Sequence, residues 1–396
     1  MTMKQPGSFI PFSLPSIGIE EEEAVLRVLR SGWLTTGKEA LAFEKEFALF
    51  TGSPHALAVN SATSGLQLAM EACGITKDTA ILTSPYTFIA TSSAALHLNA
   101  SVQYCDIEKD TYNIDPEKIE DALKRDRALL KPRIKAVVPI HIAGNVCRMQ
   151  DIMTLAKKYE VYIIEDAAHS FPSKTDNGYA GTIGDIGVFS FYATKTITTA
   201  EGGMVCTAND ELAKRMTTMR MHGIDRSVWD RYTADKASWE YDVIEAGYKY
   251  NLPDILAAIG REQLKKADFF LEKRIHIIKQ YNQAFAECPW IIPPPDGKGN
   301  AWHLYLLNLD LQKITINRNS FSQFLQEDGI GVSMHFIPHF LMSFWKKKGL
   351  DEKDFPNAKT RYESTISLPL WPDMTQMMID KVIETVIKTG RMYGKY

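Results

Sequence analysis

The sequence has little cysteine, no block of basic residues and no long apolar run. The five cysteines among its 396 residues are scattered, odd in number and form no CxxC pair. We therefore expect reduced thiols rather than a disulfide framework. The net charge is −3, and without a basic block we expect neither nucleic-acid nor membrane binding. No apolar run approaches the ~20 residues that span a bilayer.

The N-terminal segment also lacks a targeting pattern. The stretch Met1–Ser16 has no basic start followed by an apolar core, so we expect no signal peptide and a cytoplasmic protein. What is present is ordinary for a globular chain: 45% of the residues are hydrophobic and 23% are charged. At 396 residues the chain is long enough for two domains.

Strand-like and helix-like segments alternate in the first part of the chain. The patterns predict strands at Ala56–Val59, Ile81–Thr83, Lys135–Ile140, Val161–Ile164, Val188–Phe191 and Met204–Thr207, and helices at Ile17–Arg30, Glu39–Phe50 and Met149–Tyr159. Alternation of this kind requires crossover connections and therefore predicts an α/β fold with a parallel sheet.

The pattern changes after about residue 250. Two helical segments, Leu252–Leu264 and Phe269–Phe285, precede a proline-rich break, and a small α/β unit closed by a helix at Thr375–Thr389 follows. We therefore predict a large domain over residues 1–250 and a smaller C-terminal domain over residues 251–396. The N-terminal helix can pack with either domain.

One lysine and one aspartate stand out. Lys195 lies in a run of small and polar residues shortly before Glu201, and Asp166 ends a strand-like run 29 residues upstream of it. Pyridoxal phosphate (PLP) needs an amine to hold its aldehyde as a Schiff base and a carboxylate to keep its ring nitrogen protonated. A strand-end carboxylate lies where open α/β sheets bind ligands. Taken together, the two residues predict a PLP site. Taken singly, they suit a solvated lysine and a helix cap.

Three further segments supply parts that such a site requires. At a strand-to-helix junction, Ser61–Thr63 offers backbone N–H groups and hydroxyls to a phosphate, although ordinary helix capping explains it too. Tyr86 follows another strand and can lie on a pyridine ring or pack in the core. His169 can bond the oxygen substituents of the ring, and Ser190 can add a donor to the phosphate.

Other patterns point to chemistry less strongly. The glycines at positions 178, 181, 184 and 187 do not match GxGxxG, which argues against a dinucleotide cofactor. His335 and His339 have the spacing of two metal ligands on a helix, but Pro338 argues against a regular helix there, so we predict no metal site. His222 and Arg226 suit contacts with a nucleotide diphosphate, and a surface loop explains them as well.

Six runs of sequence resemble the DegT/StrS sugar aminotransferases, and they extend over nearly the whole chain. The runs are LRSGWLTTG, VNSATSGL, IIEDAAHS, GDIGVFSFYATKTITTAEGG, YKYNLPDILAAIGREQL and ISLPLWPDMT. The resemblance implies the aspartate-aminotransferase fold (fold type I). In that fold a large domain with a mostly parallel sheet flanked by helices is joined to a smaller α+β C-terminal domain. It also implies a cofactor that alternates between PLP and pyridoxamine phosphate (PMP).

The resemblance implies cofactor roles at the matching positions. Lys195 would form the Schiff base and then move the proton, and Asp166 would pair with the ring nitrogen. Tyr86 would stack on the ring. The phosphate would be held by Ala62, Thr63 and Ser190, while His169 would contact the oxygen side of the ring. Asn251 would reach the phosphate from a partner chain, so a homodimer with shared active sites is expected.

The implied substrates are L-glutamate and a nucleotide-linked keto-sugar, and the implied substrate contacts are Thr35, His222, Arg226, His335 and His339. The runs GYKYN and AWHL look like those of relatives that aminate C4 of UDP-linked 4-keto sugars. Amination at C3 of a dTDP- or GDP-linked sugar remains an alternative, as does a PLP-binding regulator without turnover. Related dehydratases carry histidine at the lysine position, and Lys195 argues against that branch.

Overall fold

A computed structural model describes residues 9–128, 133–225 and 241–395. Its α-helices are α1 (Ile19–Ser31), α2 (Lys38–Thr51), α3 (Ala62–Ala72), α4 (Ala90–His97), α5 (Pro116–Ala128), α6 (Met149–Tyr159), α7 (Asp210–Met219), α8 (Asp254–Lys265), α9 (Ala267–Phe285), α10 (Arg318–Glu327), α11 (Ser343–Lys347), α12 (Pro356–Ser364) and α13 (Gln376–Tyr393). Its strands are β1 (His55–Val59), β2 (Thr79–Thr83), β3 (Ser101–Tyr104), β4 (Arg133–Val137), β5 (Tyr162–Asp166), β6 (Lys174–Thr175), β7 (Gly178–Tyr179), β8 (Ile186–Ser190), β9 (Gly203–Thr207), β10 (Ile291–Ile292), β11 (Tyr305–Leu309) and β12 (Thr365–Leu368).

Seven strands form one sheet in the order β1-β9-β8-β5-β4-β2-β3. Four neighbouring pairs, from β8 across to β3, are parallel, whereas β9 runs antiparallel to both β1 and β8. This arrangement confirms the predicted mostly parallel sheet. Because β1, β2, β5 and β8 all end at the same edge, the residues that follow these strands meet there.

Helix α3 lies close against this sheet. Ile164 and Val188 belong to the apolar core that the helix covers. A Cβ built on Gly65 of α3 would lie 2.8 Å from Val188 Cγ1 and 3.0 Å from Val205 Cγ2. A side chain at this position would therefore push the helix away from the sheet. The close approach holds the N-terminus of α3 beside the ends of β1 and β8.

A second, three-stranded antiparallel sheet has the order β10-β11-β12. It shares an apolar core with helices α9, α10 and α13, in which Tyr281, Tyr305, Phe321 and Val382 are fully buried. Together, the two sheets and their helices match the predicted fold type I architecture.

Helix α8 packs against the two N-terminal helices. Asp254, its first residue, is buried, and its Oδ1 accepts hydrogen bonds from Gly37 N (2.7 Å) and Ala40 N (3.0 Å) at the start of α2. Ala258 shares a small apolar cluster with Ala24 and Val28 of α1. The boundary after residue 250 stays a prediction, and the chain that directly follows it contacts α1 and α2.

No helix within the described ranges is long and apolar enough to cross a bilayer. The five cysteines (Cys73, Cys105, Cys147, Cys206 and Cys288) are all free and buried.

Candidate active site

A cavity of about 440 Å³ opens at the sheet edge where β1, β2, β5 and β8 end. Further walls come from the chain just before β11 and from the segment around position 335. Seven residues that the sequence singled out line it together: Ala62, Thr63, Asp166, His169, Ser190, Lys195 and His335. They come from four separate segments of the chain, which the topology brings to one edge of the sheet.

Lys195 lies in a tight turn that follows β8. Its backbone N–H donates to Tyr192 O (2.9 Å), and the next residue, Thr196, donates from its hydroxyl to Phe171 O (2.6 Å). Burial lowers the pKa of Lys195 to about 8, and the negative charge of Asp166 opposes the shift. A fixed, partly uncharged amine is therefore available at neutral pH, which a nucleophile requires.

Asp166 lies at the end of β5 and is buried. Its Oδ2 accepts a hydrogen bond from Thr91 Oγ1 (2.7 Å), and its Oδ1 accepts one from Ala168 N (3.2 Å). Burial raises the pKa of Asp166, against the effect of these two hydrogen bonds and the nearby Lys195 charge. A buried carboxylate of this kind needs a cationic partner in the cavity to remain ionised.

The N-terminus of α3 also lines the cavity. Ser61 caps the helix, since its Oγ accepts a hydrogen bond from Ser64 N (3.1 Å). For this hydroxyl, ordinary helix capping is therefore the explanation. The backbone N–H groups of Ala62 and Thr63 belong to the first turn and have no partner within the helix. A Cβ on Gly203 would lie 2.9 Å from Ala62 N, so glycine keeps this anion-binding end open.

Three buried or half-buried histidines stand around Lys195. His169 Nδ1 accepts from Ala143 N (3.3 Å), so in the neutral ring the proton sits on Nε2. The ring of His303 lies 4.4 Å from that of His169, and His335 Nδ1 lies 2.9 Å from Ser367 Oγ. Burial lowers the pKa of His335 to about 3 and those of the other two well below the ordinary value. All three are therefore neutral at physiological pH.

The structure places Tyr86 outside the cavity. Its side chain is fully buried, and its hydroxyl donates to His335 O (2.9 Å). Phe88, two residues later, lines the cavity and is 56% exposed. In this geometry Tyr86 does not face the cavity, because its hydroxyl holds the segment around position 335 and its ring packs against that of Tyr112.

Four more predicted residues do not line this cavity. Asn251 donates from Nδ2 to Thr36 Oγ1 (2.6 Å) within its own chain. Thr35 and His222 are exposed, while His339 is buried beside Tyr104 and stacks on Trp345. Arg226 lies outside the described residues.

Cavity residues that the sequence reasoning did not assign include Phe88 and His303. Thr91, which holds Asp166, was also missed, although it stands in the same segment as Tyr86. His303 lies in the AWHL run, but nothing in the sequence around it predicts that its side chain lines the cavity.

These residues fit PLP. The cavity is lined by an amine, by a buried carboxylate and by the first turn of α3, whose free N–H groups Gly203 leaves open. Asp166 would face the ring nitrogen, the first turn of α3 would hold the phosphate, and Lys195 would reach the aldehyde. Within the residues that the structure describes, no group of three or more His, Cys, Asp or Glu could hold a metal ion.

We expect Lys195 in the apoenzyme to titrate near pH 8. At pH 7 about a tenth of the side chains would then be free amine, against about 0.03% for an ordinary lysine. Because the pKa is lower in the folded chain than in the unfolded one, the contribution of Lys195 to the free energy of unfolding rises between pH 8 and 10.5. The measurement is the rate of borohydride-stable attachment of PLP to Lys195 between pH 6 and 10. A rate that keeps rising towards pH 10.5 would contradict the expectation.

The sequence and the structure both match known proteins. The model of the DegT/DnrJ/EryC1/StrS aminotransferase family matches residues 15–387. The spore coat polysaccharide biosynthesis protein SpsC of Bacillus subtilis is 42% identical over 383 residues, which cover 96% of each chain.

Two solved structures show the same fold. Spr1654 from Streptococcus pneumoniae, in its PMP form, has a TM-score of 0.89 and 29% identity, covering 97% of this chain and 99% of that chain. It is also known in a PLP form. Helicobacter pylori PseC, an aminotransferase involved in the biosynthesis of pseudoaminic acid, has a TM-score of 0.88 and 30% identity, covering 98% of this chain and 100% of that chain. The predicted family, enzyme class and cofactor are thereby confirmed. The chain belongs to the DegT/DnrJ/EryC1/StrS aminotransferase family and is a PLP-dependent sugar aminotransferase.

Proposed function

We propose that the enzyme moves the amino group of L-glutamate to the carbonyl carbon of a nucleotide-linked keto-sugar, with C4 of a UDP-linked 4-keto sugar as the preferred acceptor. The observation that carries the proposal is the amine of Lys195, with a pKa of about 8, in the cavity that Asp166 also lines. PLP, when bound, supplies an aldehyde that accepts amino groups and a ring that withdraws electrons from the carbon losing its proton.

Lys195 Nζ has two tasks in this proposal. It holds the cofactor between turnovers, and once released it takes the proton from Cα of the donor and delivers it to the cofactor carbon. A base works best when its pKa is near the working pH, which the lowered pKa of Lys195 provides. Asp166 keeps the ring nitrogen protonated, and Ala62, Thr63 and Ser190 hold the phosphate.

Phe88 takes the role of the ring-stacking aromatic in this proposal. It lines the cavity directly after the end of β2 and has more than half of its side chain exposed. An aromatic ring with one free face suits stacking on a flat heterocycle. His169, which also lines the cavity, presents its Nε2–H as a donor to the oxygen substituents of the ring.

The sugar class rests on the relatives. SpsC is named for polysaccharide biosynthesis, and PseC for the biosynthesis of pseudoaminic acid. The preference for C4 rests on the GYKYN and AWHL runs. His335 lines the cavity beside Lys195 and stays a proposed substrate contact, as do Thr35, His222, Arg226 and His339 from positions outside it.

We also propose a homodimer with shared active sites. Glutamate carries two carboxylates, and a nucleotide diphosphate carries further negative charge. Among the described residues that line the cavity, Lys195 is the one lysine or arginine. The positively charged side chains that would bind these anionic groups must therefore come from outside the described lining. Two aromatic residues that line the cavity, Phe88 and Tyr192, are 56% and 48% exposed, and apolar exposure of this kind suits burial against a partner. Asn251 would then reach the phosphate of the partner chain.

A cytoplasmic location is part of the same proposal. All five cysteines are free and buried, an arrangement that suits a reducing compartment. Fractionation of the native host, with the enzyme found with soluble cytoplasmic markers, would support it.

The proposed reaction separates into two halves that can be tested in turn. Adding L-glutamate alone to the PLP-loaded enzyme should remove its visible absorbance and release one 2-oxoglutarate per active site. D-Glutamate is the matched control, because it presents its Cα–H on the other face. A panel of UDP-, dTDP- and GDP-linked 4-keto and 3-keto sugars should then restore the absorbance, fastest with a UDP-linked 4-keto sugar.

Each half can fail separately. A coloured protein that no amino donor bleaches would support a PLP-binding regulator. Bleaching by glutamate followed by recovery with 3-keto dTDP- or GDP-linked sugars alone would keep the donor and overturn the acceptor.

A further inference from the structure

His303 contacts the turn that carries Lys195 and plays no part in the roles assigned above. It is 3% exposed and lines the cavity just before strand β11. Its Nε2 lies 3.1 Å from the backbone oxygen of Thr194, the residue before the lysine. A carbonyl oxygen can only accept a hydrogen bond, so the proton of His303 sits on Nε2.

Together with a backbone hydrogen bond, this contact holds the peptide unit between Thr194 and Lys195 at both ends. The carbonyl of Thr194 and the N–H of Lys195 belong to the same plane. The N–H end donates to Tyr192 O at 2.9 Å, and the carbonyl end accepts from His303. With both ends held, the plane resists rotation, and the backbone from which the Lys195 side chain extends is restrained on its N-terminal side.

The surroundings of His303 favour its neutral form. Burial, followed by the charges of Lys195 and Arg274, holds the pKa of His303 well below the ordinary value. Its other nitrogen, Nδ1, is a buried acceptor that no described residue hydrogen-bonds. Among residues 9–128, 133–225 and 241–395, the polar contact of the ring is therefore the one to Thr194.

Two residues that adjoin His303, one in the chain and one through a hydrogen bond, have an uncommon backbone conformation. Ala143 has φ +60° and Trp302 has φ +48°, in the left-handed region that non-glycine residues seldom occupy. Ala143 O accepts from His303 N (3.0 Å), and Ala143 N donates to His169. Strained residues of this kind cluster where the surrounding structure holds a functional group in place.

We propose that His303 is a positioning residue for Lys195: its neutral imidazole holds the Thr194 carbonyl and thereby aims the amine at the cofactor. The proposal rests on the attachment of PLP to Lys195 and is independent of the amino donor and the sugar. It also connects the small sheet to the lysine turn, because His303 lies two residues before β11.

The test compares two replacements of equal length. In His303→Gln the amide nitrogen can take the place of Nε2 and donate to Thr194 O, whereas His303→Met has no donor. The readout is the rate at which PLP added to apoenzyme becomes borohydride-stably attached to Lys195, with the non-covalent affinity for PMP as a measure of an intact pocket. We expect the Met variant to attach PLP about five- to tenfold more slowly, the Gln variant to stay within about twofold of wild type, and PMP affinity to be equal in all three.

Two results would overturn the proposal. One is a Met variant as fast as wild type, and the other is a Gln variant as slow as the Met variant. If neither variant folds, long-range ¹H–¹⁵N NMR of the wild-type imidazole decides. The Nε2–H form from pH 6 to 9 supports the proposal, and an Nδ1–H or charged ring contradicts it. If glutamate fails as donor while PLP still attaches, the donor proposal falls and this one stands.

Discussion

Lys195→Ala is expected to lower the rate of 2-oxoglutarate formation from L-glutamate at least about 10³-fold. The amine is the group that both holds the cofactor and moves the proton, and no other lysine or arginine among the described cavity residues can replace it. Single-turnover assays measure the loss, and borohydride should no longer attach PLP. The phosphate end of the site is untouched, so PMP should still bind.

A matched control removes a different half-buried lysine. Lys135 donates from Nζ to Gly74 O (3.0 Å) on the far side of the sheet and does not line the cavity. Lys135→Ala should therefore leave the rate of amino transfer near that of wild type. A Lys195→Ala enzyme that still converts glutamate at more than about a tenth of the wild-type rate would contradict the assignment.

Lys195→Ala also tests whether two chains share each active site, when it is combined with a second variant. Asn251→Asp, which sets a negative charge against the phosphate, should be nearly as inactive as Lys195→Ala. If Asn251 acts on the partner's site, a dimer of one Lys195→Ala chain and one Asn251→Asp chain contains one intact site. Random mixing would then restore about a quarter of wild-type activity. If Asn251 acts within its own chain, every site carries a defect and no activity returns.

Much of the large sheet could be predicted from local patterns. The apolar runs that became β1, β2, β4, β5, β8 and β9 are short and bounded by polar or glycine-rich segments. Strand β3 was not predicted because its four residues are all only half-buried and lack a continuous apolar run. The aspartate was found because it ends a buried strand, and the lysine because it stands in a run of small and polar residues five positions after another.

The aromatic that faces the cavity could not be predicted in the same way. Tyr86 and Phe88 are close in sequence, and either ring suits stacking. The hydroxyl of Tyr86 is held by His335 O, a partner 249 positions away, and that contact keeps the tyrosine out of the cavity. Likewise, His303 reaches Thr194 across 109 positions, so its placement depends on the packing of the two sheets.

Asp166→Asn is expected to lower the rate of amino transfer about 10²-fold, the order that the loss of one charged hydrogen bond produces. Asparagine keeps the shape of the side chain and can still accept from Thr91, but it carries no charge to hold the ring nitrogen protonated. Because Asp166 opposes the lowering of the pKa of Lys195, the variant should also move the pH midpoint of PLP attachment below 8. Thr91→Val removes the donor to Oδ2 and the contact with Thr87 Oγ1 but leaves the carboxylate in place, so it should have a smaller effect.

Stability should change in the opposite direction to activity. Burial raises the pKa of Asp166, so the ionised carboxylate destabilises the folded apoenzyme, and this cost grows as the pH rises through that pKa. Asparagine removes the buried charge. At pH 7 the apo form of Asp166→Asn should therefore unfold at the same or a higher temperature than wild type, while its catalysis is impaired. A variant that lost both stability and activity would indicate that Asp166 mainly holds the fold; one that lost neither would remove its role towards the ring nitrogen.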